Sequence, residues 1–388
     1  MSTNQNKVII LGGVGEVGGP LTEDLATCPE VGEIVIADIQ REQAEALALS
    51  LGDKVSAVEL DLGDRDKALR LLEGADMLMN CTSLVKFDQV IDLAIEARVN
   101  YADLISEPTQ QQRQAAEQAG ITAISGLGLS PGVSNVIVRH AADALDEIEE
   151  VHINGLSWRA IAPSPGGLDT ILWENGQDCP TRQYYQNGRF HWARPFEGTR
   201  VVEFPPPVGP HRVYFVPHTE ATSLVKNFPS LKFCAARVSW RDELSEDIRV
   251  LNKYGLLDHT PLPGYEGITA YQATWARIWE KWGGVRDSGA HALYINVEII
   301  GTRDGQAWRR VYNVSHPADW GPKAIGKMTG ICAAVGAQLL ARHGRTHTGF
   351  VDAEVYFDPP EFFAELEKRG TVFLSWEETP VGGAALTR

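Results

Sequence analysis

Residues 12–19 read GGVGEVGG, and they directly follow the apolar run KVIIL at residues 7–11. Five glycines in eight positions are costly, because a glycine inside regular structure is about 0.5–1 kcal/mol less favourable than an alanine. Such a cluster indicates either a flexible loop or a backbone that turns tightly and lets a bulky anion approach. The sequence on both sides of the cluster decides between these two readings.

From Lys7 to about Ser125, short β-rich runs alternate with stretches of helical composition. The six runs are KVIILGG, EIVIAD, VSAVELD, DMLMNCTS, NYADLIS and ITAISG. Continuously apolar strands predict a sheet that is covered on both faces, and strict alternation with helices predicts βαβ units. We therefore expect an α/β fold in which residues 1–130 form a Rossmann domain, a doubly wound parallel sheet that binds dinucleotides.

The glycine cluster has the context of a dinucleotide fingerprint. Gly13, Gly15 and Gly18 fit GxGxxG between the first strand and the first helix, and Asp38 ends the second strand. In this pattern the glycines make the turn, admit a pyrophosphate and pack helix against strand, while the acidic residue binds the ribose. The predicted cofactor is NAD. NADP stays possible, because Arg41 lies three residues after Asp38 and is suited to a 2′-phosphate.

Residues after the strand ends complete the predicted cofactor site, because ligands of such sheets bind at the carboxyl edge. The predicted cofactor-binding residues are Gly13, Val14, Gly15, Glu16, Val17, Gly18, Asp38, Ile39, Asp61, Leu62, Cys81, Thr82 and Ser83. Gly12, Gly15 and Gly18 also match the spacing of short-chain dehydrogenases. That class needs a tyrosine followed four residues later by lysine, and no tyrosine in this sequence has one.

Composition limits the partners of the chain. The formal net charge is −16, which argues against nucleic acid and anionic membranes. Five cysteines without a CxxC pair are typical of reduced thiols in the cytoplasm, and no apolar run of about 18 residues stands out as a membrane span. We expect a small-molecule substrate and no metal, since Gly344 interrupts the helix that would align His343 with His347.

Residues 128–132, GLSPG, match the G-x-S-x-G nucleophile elbow of serine hydrolases. The oxyanion hole of that elbow uses the N–H of the residue after the serine, and here that residue is Pro131, which has none. The pattern instead favours Ser130 as the N-cap and Pro131 as the first residue of the helix PGVSNVIVRHAADAL.

The second half of the chain is β-rich and predicts a second domain of the α+β class with a mostly antiparallel sheet. We expect a β-rich substrate and dimerisation domain at residues 131–320, with a helical insertion near residues 241–283. Within it, HALYINVEIIG and QAWRRVYNVSH flank TRDG and predict a β-hairpin. The tryptophans at 275, 279 and 282 predict a core or subunit contact. Residues 321–388 are expected to form a C-terminal helix and a tail that return to the Rossmann domain.

Several motifs resemble those of the saccharopine dehydrogenase-like family, the group of saccharopine reductase, lysine 6-dehydrogenase and carboxynorspermidine dehydrogenase. They are GGVGEVG, VNYADLISE (99–107), GLGLSPGVSN (126–135), MTGICAAVGAQLLA and EFFAELEKRG. The resemblance implies an NAD(P)-dependent oxidoreductase of a C–N bond in an amino acid or related amine, with the substrate between two lobes. It leaves the direction open, either oxidation of the amine or reduction of the imine.

Lys86, Asp103 and Glu107 follow strand ends at the carboxyl edge, where a ligand would bind. Asp103 also matches an acidic position of a family motif, and residues 213–223 resemble a family stretch near the substrate. Oxidation of an amine needs a base that removes its proton, and the candidate catalytic residues are Lys86, Asp103 and His218. The candidate substrate-binding residues are Glu107, Arg159, Tyr214, Glu220 and Thr222, with Arg159 as a clamp for a substrate carboxylate. A homodimer is expected. The alternative function from another class is a nucleotide-binding regulatory protein without turnover.

Overall fold

The computed structural model describes residues 6–83, 86–159, 164–177, 179–265, 267–283, 291–381 and 386–387. Contacts divide the chain into two compact units. Unit 1 consists of Met1–Arg139 and Gly326–Gly370, and unit 2 consists of His140–Ile325 and Thr371–Arg388.

Unit 1 alternates strand and helix along its first 124 residues, as the sequence predicts. Its elements are β1 Asn6–Leu11, α1 Gly18–Leu25, β2 Val31–Asp38, α2 Arg41–Leu51, β3 Val55–Glu59, α3 Arg65–Leu72, β4 Met77–Asn80, α4 Phe87–Ala97, β5 Asn100–Asp103, α5 Gln110–Ala119 and β6 Thr122–Ile124. Helix α6, Val133–Ala142, then leads into unit 2.

The strands of unit 1 form one parallel sheet of seven strands. From one edge to the other the order is 3-2-1-4-5-6, followed by β15, Gly349–Phe350. This is the order of a doubly wound dinucleotide-binding fold, so the predicted Rossmann sheet is confirmed. The sheet is buried among side chains such as Ile9, Leu78 and Tyr101, which explains why its strands read as continuous apolar runs.

Unit 2 is built around a ten-stranded mixed sheet. Its elements are β7 Glu147–Trp158, α7 Pro165–Asn175, β8 Gln183–Gln186, β9 Arg189–Trp192, β10 Arg200–Phe204, β11 Gly209–Phe215, α8 Glu220–Asn227, β12 Phe233–Ser239, α9 Asp242–Lys253, α10 Ala270–Trp282, β13 Ala292–Arg303 and β14 Gln306–Ser315. All strand pairs are antiparallel except β12 with β7. The α+β class with a mostly antiparallel sheet is therefore confirmed.

The predicted hairpin is formed by β13 and β14. Asp304 and Gly305 connect the strands, and both have a positive φ, as in the type I′ turn that matches the twist of paired strands. The helical insertion is formed by α9 and α10. Its tryptophans are not core residues of this chain: Trp275 and Trp279 are half-buried, and Trp282 is 53 % exposed.

The C-terminal part departs from the expected boundaries. A 3-10 helix at Ala318–Lys323 precedes α11, Ala324–His343, and then follow β15, α12 Ala353–Tyr356 and α13 Pro359–Lys368, which lie in unit 1 from Gly326 onward. The tail does not stay there. Strand β16, Phe373–Pro380, pairs with β14 and is followed by β17, Leu386–Thr387, so the end of the chain extends the sheet of unit 2. The tail adds a paired partner to a strand that would otherwise be an exposed edge.

Helix α11 corrects one expectation about apolar runs. Among the described residues it alone has the length and composition of a membrane span, with a mean hydropathy of 1.4 over 18 residues. Of that window, 78 % is buried inside the protein, and the buried core helix of a soluble protein passes the same test.

Candidate active site

The glycine-rich loop turns at Gly12, not at Gly13 as the pattern predicts. Gly12 has φ +72°, and a side chain there would place a Cβ 2.7 Å from the carbonyl oxygen of Cys81. Gly18 fits the helix-packing role, since its Cβ would lie 2.1 Å from the carbonyl oxygen of Gly12. Two adjacent glycines made the sequence ambiguous, and only the backbone conformation distinguishes them.

Asp38 ends β2 and holds the loop from the side. Its carboxylate accepts hydrogen bonds from the N–H of Val14 at 3.3 Å and from the N–H of Gln40 at 3.0 Å. The side chain of Asp38 is buried, whereas Ile39 next to it is 66 % exposed. Arg41 is exposed and pairs with Glu45 at 2.7 Å.

This geometry fits a dinucleotide. The loop leads directly into α1, whose first N–H groups have no partner inside the helix and carry the positive end of its dipole. A Cβ at position 15 would lie only 3.2 Å from the carbonyl oxygen of Gly12, and glycine avoids this close contact. Asp38 stands at the position that binds an adenosine ribose. The loop would therefore hold the pyrophosphate, and Asp38 the ribose.

A buried polar network joins the ends of β4, β5 and β6. The Thr82 hydroxyl donates to the Asn80 side-chain oxygen at 2.7 Å, and the Asn80 amide donates to the Tyr101 hydroxyl at 3.2 Å. Tyr101 in turn donates to Asp103 at 2.7 Å. Burial, and then the charge of Asp103, raise the pKa of Tyr101 well above its usual value. Burial likewise raises the pKa of the Cys81 thiol to about 12, with a contribution from Asp103.

Asp103 lies at the centre of this network, and its surroundings argue against the predicted role as a base. Its Oδ1 accepts hydrogen bonds from the N–H groups of Ile105 at 3.0 Å and Ser106 at 2.9 Å, and it also bonds Ser125 and Gly126. Its Oδ2 accepts from Tyr101 and from the Ser106 hydroxyl. The side chain is fully buried. A carboxylate whose oxygens all serve the surrounding loops stabilises the fold and has no accessible lone pair for a substrate proton.

The other predicted residues of unit 1 lie near the carboxyl edge but differ in exposure. Lys86 is half-buried at the start of α4, and Ser83 and Glu107 are exposed. Asp61 is exposed and accepts the N–H of Gly63 at 2.8 Å. Leu62, by contrast, is buried in the hydrophobic core, so its side chain does not belong to a cofactor surface.

The helix predicted after residue 130 begins two residues later than expected. Helix α6 starts at Val133, because Gly128–Gly132 form a closed turn in which Gly128 donates to the Pro131 carbonyl and Val133 to that of Gly128. Ser130 is therefore not its N-cap. Asn135 accepts the N–H of Gly132 at 3.1 Å and donates to Glu354, a buried carboxylate, at 2.9 Å.

Unit 2 contains a separate buried cluster around His218. The Nε2 of His218 lies 3.1 Å from Glu174 Oε1, and its Nδ1 lies 3.9 Å from Glu220 Oε2. The structure thus brings two predicted residues, His218 and Glu220, together with a carboxylate that was not predicted. Burial alone would lower the pKa of His218, but the hydrogen bond to Glu174 and the charges of both glutamates outweigh burial and raise that pKa.

Glu174 and Arg182 are the residues that the sequence reading missed. Glu174 lies in the last turn of α7, where the negative end of the helix dipole disfavours an anion. That local conflict was a usable signal, because locally unfavourable choices concentrate at functional sites. Arg182 is fully buried and donates to the carbonyl oxygens of Glu174 and Gly176, each at 2.7 Å. Nothing in its sequence neighbourhood marks this role.

Three other predicted substrate residues of unit 2 have different surroundings. Tyr214 is buried, its ring meets that of Phe196 edge to face, and the guanidinium of Arg249 lies over both rings. Thr222 is exposed. It lies two residues after buried Glu220 on the same helix, and residues two apart do not share a helix face. Arg159 directly follows β7 and is buried, so it is not a surface arginine.

Comparisons with known proteins cover nearly the whole chain. Residues 8–124 match the family model described as saccharopine dehydrogenase NADP binding domain, and residues 128–371 match saccharopine dehydrogenase C-terminal domain. Carboxyaminopropylagmatine dehydrogenase of Synechocystis sp. is 27 % identical over 97 % of this chain and 98 % of its own. Carboxynorspermidine synthase of Vibrio cholerae is 24 % identical over 94 % of this chain and 95 % of its own. Among solved structures, saccharopine dehydrogenase (L-Glu forming) of Saccharomyces cerevisiae has a TM-score of 0.70 at 15 % identity, over 96 % of this chain and 100 % of that one.

Proposed function

The chain belongs to the saccharopine dehydrogenase family, and from that premise we propose that it reduces an imine to a secondary amine that carries both a carboxylate and a cationic chain. As a member of this family it is an NAD(P)-dependent oxidoreductase that acts on the C–N bond of an amino acid or related amine. These relatives are dehydrogenases, so they give no support to a regulatory protein without turnover.

Two observations support the substrate class. The relatives aligned along almost their full length are named for a carboxyaminopropylagmatine and a carboxynorspermidine, which combine a carboxyl group with an amine or guanidine chain. The observation in this chain that carries the proposal is the buried cluster of Glu174, His218 and Glu220 in unit 2. Two glutamates beside one histidine leave a net negative charge even when the histidine is protonated, and a buried negative charge is suited to a cationic arm because buried charges are stable only when they are paired.

The proposed roles of the residues follow from their chemistry. The glycine-rich loop and Asp38 bind the cofactor, which when bound supplies the hydride for the C–N carbon. His218 exchanges the proton of the substrate nitrogen, and Arg159 binds the substrate carboxylate with its planar guanidinium. Lys86 stays the second candidate for proton exchange. Asp103 is left out of the chemistry, because its oxygens are occupied.

We also propose that the chain works as a homodimer in the cytoplasm. Support for the dimer comes from apolar side chains that α9, α10 and the loop between them leave exposed, among them Val250, Tyr254 and Trp282. Native mass spectrometry tests this proposal. A dimer that Trp282→Arg converts to monomer supports it, and a monomeric wild type contradicts it.

The function is tested by following the consumption of reduced cofactor in mixtures of an aldehyde-bearing amino acid and an amine. We expect NADH or NADPH to be consumed when an aldehyde-bearing amino acid is present together with a diamine or agmatine, and not when either is omitted. Gly15→Val serves as the control for catalysis by contaminants. Consumption with the aldehyde alone would indicate an alcohol dehydrogenase and contradict the proposal.

A further inference from the structure

His218 is oriented by a carboxylate that comes from a different element. Glu174 belongs to α7, His218 lies in the loop after β11, and the 3.1 Å contact joins Oε1 to Nε2. The side chains of both residues are less than one-tenth exposed. A hydrogen bond between a buried carboxylate and one ring nitrogen fixes the plane of the imidazole and determines which of its protonation states is favoured.

Arg182 fixes the helix end that carries Glu174. Its guanidinium donates to the carbonyl oxygens of Glu174, Gly176 and Ala193 at 2.7 to 3.3 Å. The last carbonyls of a helix lack partners within the helix, so a buried cation at this end both satisfies them and complements the dipole. The side chain of Glu174 therefore leaves from a backbone that is held in place.

The charges around His218 favour its doubly protonated form. Two carboxylates act on His218, that of Glu174 from α7 and that of Glu220 from α8. With Nε2 bonded to Glu174, Nδ1 is the atom that can exchange a proton. It makes no hydrogen bond among the described residues, and Glu220 Oε2 lies 3.9 Å from it, within ion-pair distance. A buried N–H without a partner is costly, so Nδ1 is poised for a ligand acceptor.

We propose that Glu174, held by Arg182, is a positioning residue that keeps His218 doubly protonated, so that Nδ1 of His218 donates a proton to the imine nitrogen of the substrate. This inference rests on the proposed function and deepens it, because it assigns a proton donor to the reductive direction of the reaction. His218 acts there as an acid, whereas the sequence suggested a base.

The proton and electron balance of the step is complete. The lone pair of the imine nitrogen forms a bond to the proton of Nδ1, and the imidazole is left neutral. The substrate carbon then accepts the hydride of the reduced cofactor, and the electron pair of the C=N bond becomes the lone pair of the product amine. Solvent returns a proton to His218 after product release.

The first test is the titration of His218 by NMR on the whole protein with labelled histidine, with the signal assigned by its loss in His218→Asn. In wild type we expect a pKa above the ordinary value of 6.5. In Glu174→Gln it should fall by about one unit or more, which is a tenfold change in the protonation equilibrium. Glu174→Asp should give an intermediate value. A wild-type value at or below 6.5, or no change in Glu174→Gln, would overturn the proposal.

Asp169→Asn is the matched control. Asp169 is another carboxylate on α7, and it accepts a hydrogen bond from Tyr271 of α10 at 2.5 Å instead of contacting His218. The substitution Asp169→Asn should leave the pKa of His218 unchanged. If it lowers the pKa of His218 as much as Glu174→Gln does, Glu174 acts only through the stability of α7, and the proposal fails.

The second test uses the pH profile of imine reduction. Because the reactive form of His218 is protonated, kcat should fall as pH rises through its pKa, and in Glu174→Gln this fall should occur at lower pH. A profile that does not move while the NMR titration does would overturn the donor role. The NMR titration does not depend on turnover. If wild-type His218 titrates as expected but the protein reduces no imine, the proposed function fails while the effect of Glu174 on His218 stands.

Discussion

At the scale of residues, the sequence selects candidates by residue type and position along the chain, and the structure adds the partners that surround each one. Asp103 was selected because it ends a strand at the ligand-binding edge, but which atoms surround a carboxylate depends on loops distant in sequence, here Ser125 and Gly126. His218 and Glu220 were selected from one short stretch, whereas Glu174 comes from 44 residues earlier. Tertiary partners of this kind leave only a weak local trace, such as an acidic residue at the wrong end of a helix.

Asp103→Asn should destabilise unit 1 without changing the pH profile of turnover. An asparagine keeps one oxygen that can accept from the N–H groups of Ile105 and Ser106. Its NH2 group replaces the oxygen that accepts from the hydroxyls of Tyr101 and Ser106, so donors would face donors there, and a buried unsatisfied group costs about 1–3 kcal/mol. Urea denaturation should show this loss. A profile whose inflection disappears in Asp103→Asn would restore Asp103 as the base.

Gly15→Val should lower cofactor affinity by about tenfold or more, or about 1.4 kcal/mol. A branched side chain would occupy the place where the pyrophosphate lies, while the fold of the sheet is retained. Titration of bound NADH fluorescence measures the change. Gly166→Ala, where a Cβ meets no atom within 4 Å, should keep wild-type affinity. Equal affinities for wild type and Gly15→Val would show that the loop is only a connector.

Asp38 should make NADH the better cofactor. Its buried carboxylate would repel a 2′-phosphate, and the cation nearest in sequence, Arg41, is already paired with Glu45. We expect kcat/KM to be higher with NADH than with NADPH. In Asp38→Ala the ratio of these two kcat/KM values should be smaller than in wild type. A tenfold preference of wild type for NADPH, about 1.4 kcal/mol, would contradict this assignment.

At the scale of elements, the sequence predicted unit 1 well because its strands and helices are local. Each has its own periodicity and apolar pattern, α3 and α5 also have side-chain N-caps, and five helices were found between six strands as predicted. The start of α6 was wrong, since the turn at Gly128–Gly132 depends on hydrogen bonds that no propensity reveals. The tail was wrong for a similar reason, because the pairing of β16 with β14 joins segments about 60 residues apart.

Helix α11 shows what small residues contribute. Gly326 and Gly330 face the cofactor loop and α1, so closely that a Cβ on Gly330 would lie 2.6 Å from the carbonyl oxygen of Val17 and 2.9 Å from the nitrogen of Leu21. These glycines allow the backbone of α11 to approach the glycine-rich loop, which is the predicted pyrophosphate site. The C-terminal segment therefore supports the first element of the chain.

Gly330→Ala should destabilise the protein by about 1–3 kcal/mol through overpacking, despite the better helix propensity of alanine. Gly19→Ala is the matched control, since a Cβ there would make an ordinary contact at 3.9 Å. Denaturant melts of both variants measure the difference. If Gly330→Ala were as stable as Gly19→Ala, the close approach of α11 would have no energetic weight.

At the scale of the whole molecule, the chain leaves unit 1 near Arg139, returns at Gly326 and leaves again after Gly370. All the predicted cofactor-binding residues lie in unit 1, and the buried acidic cluster around His218 lies in unit 2. The family assignment covers both units, so neither is an unrelated addition. The class of substrate is the part that neither the fold nor the pattern of strands could predict, because in the proposed function it depends on a few side chains of unit 2.

Deuterium transfer tests the central claim, imine reduction, most directly. The protein is mixed with an aldehyde-bearing amino acid, an amine and reduced cofactor deuterated at C4, once for each face of the ring, and the product is analysed by mass spectrometry and NMR. Imine reduction yields a secondary amine with one deuterium on the carbon bonded to nitrogen, from one of the two labelled cofactors. Deuterium in an alcohol, or an amine product without deuterium from either cofactor, would contradict it.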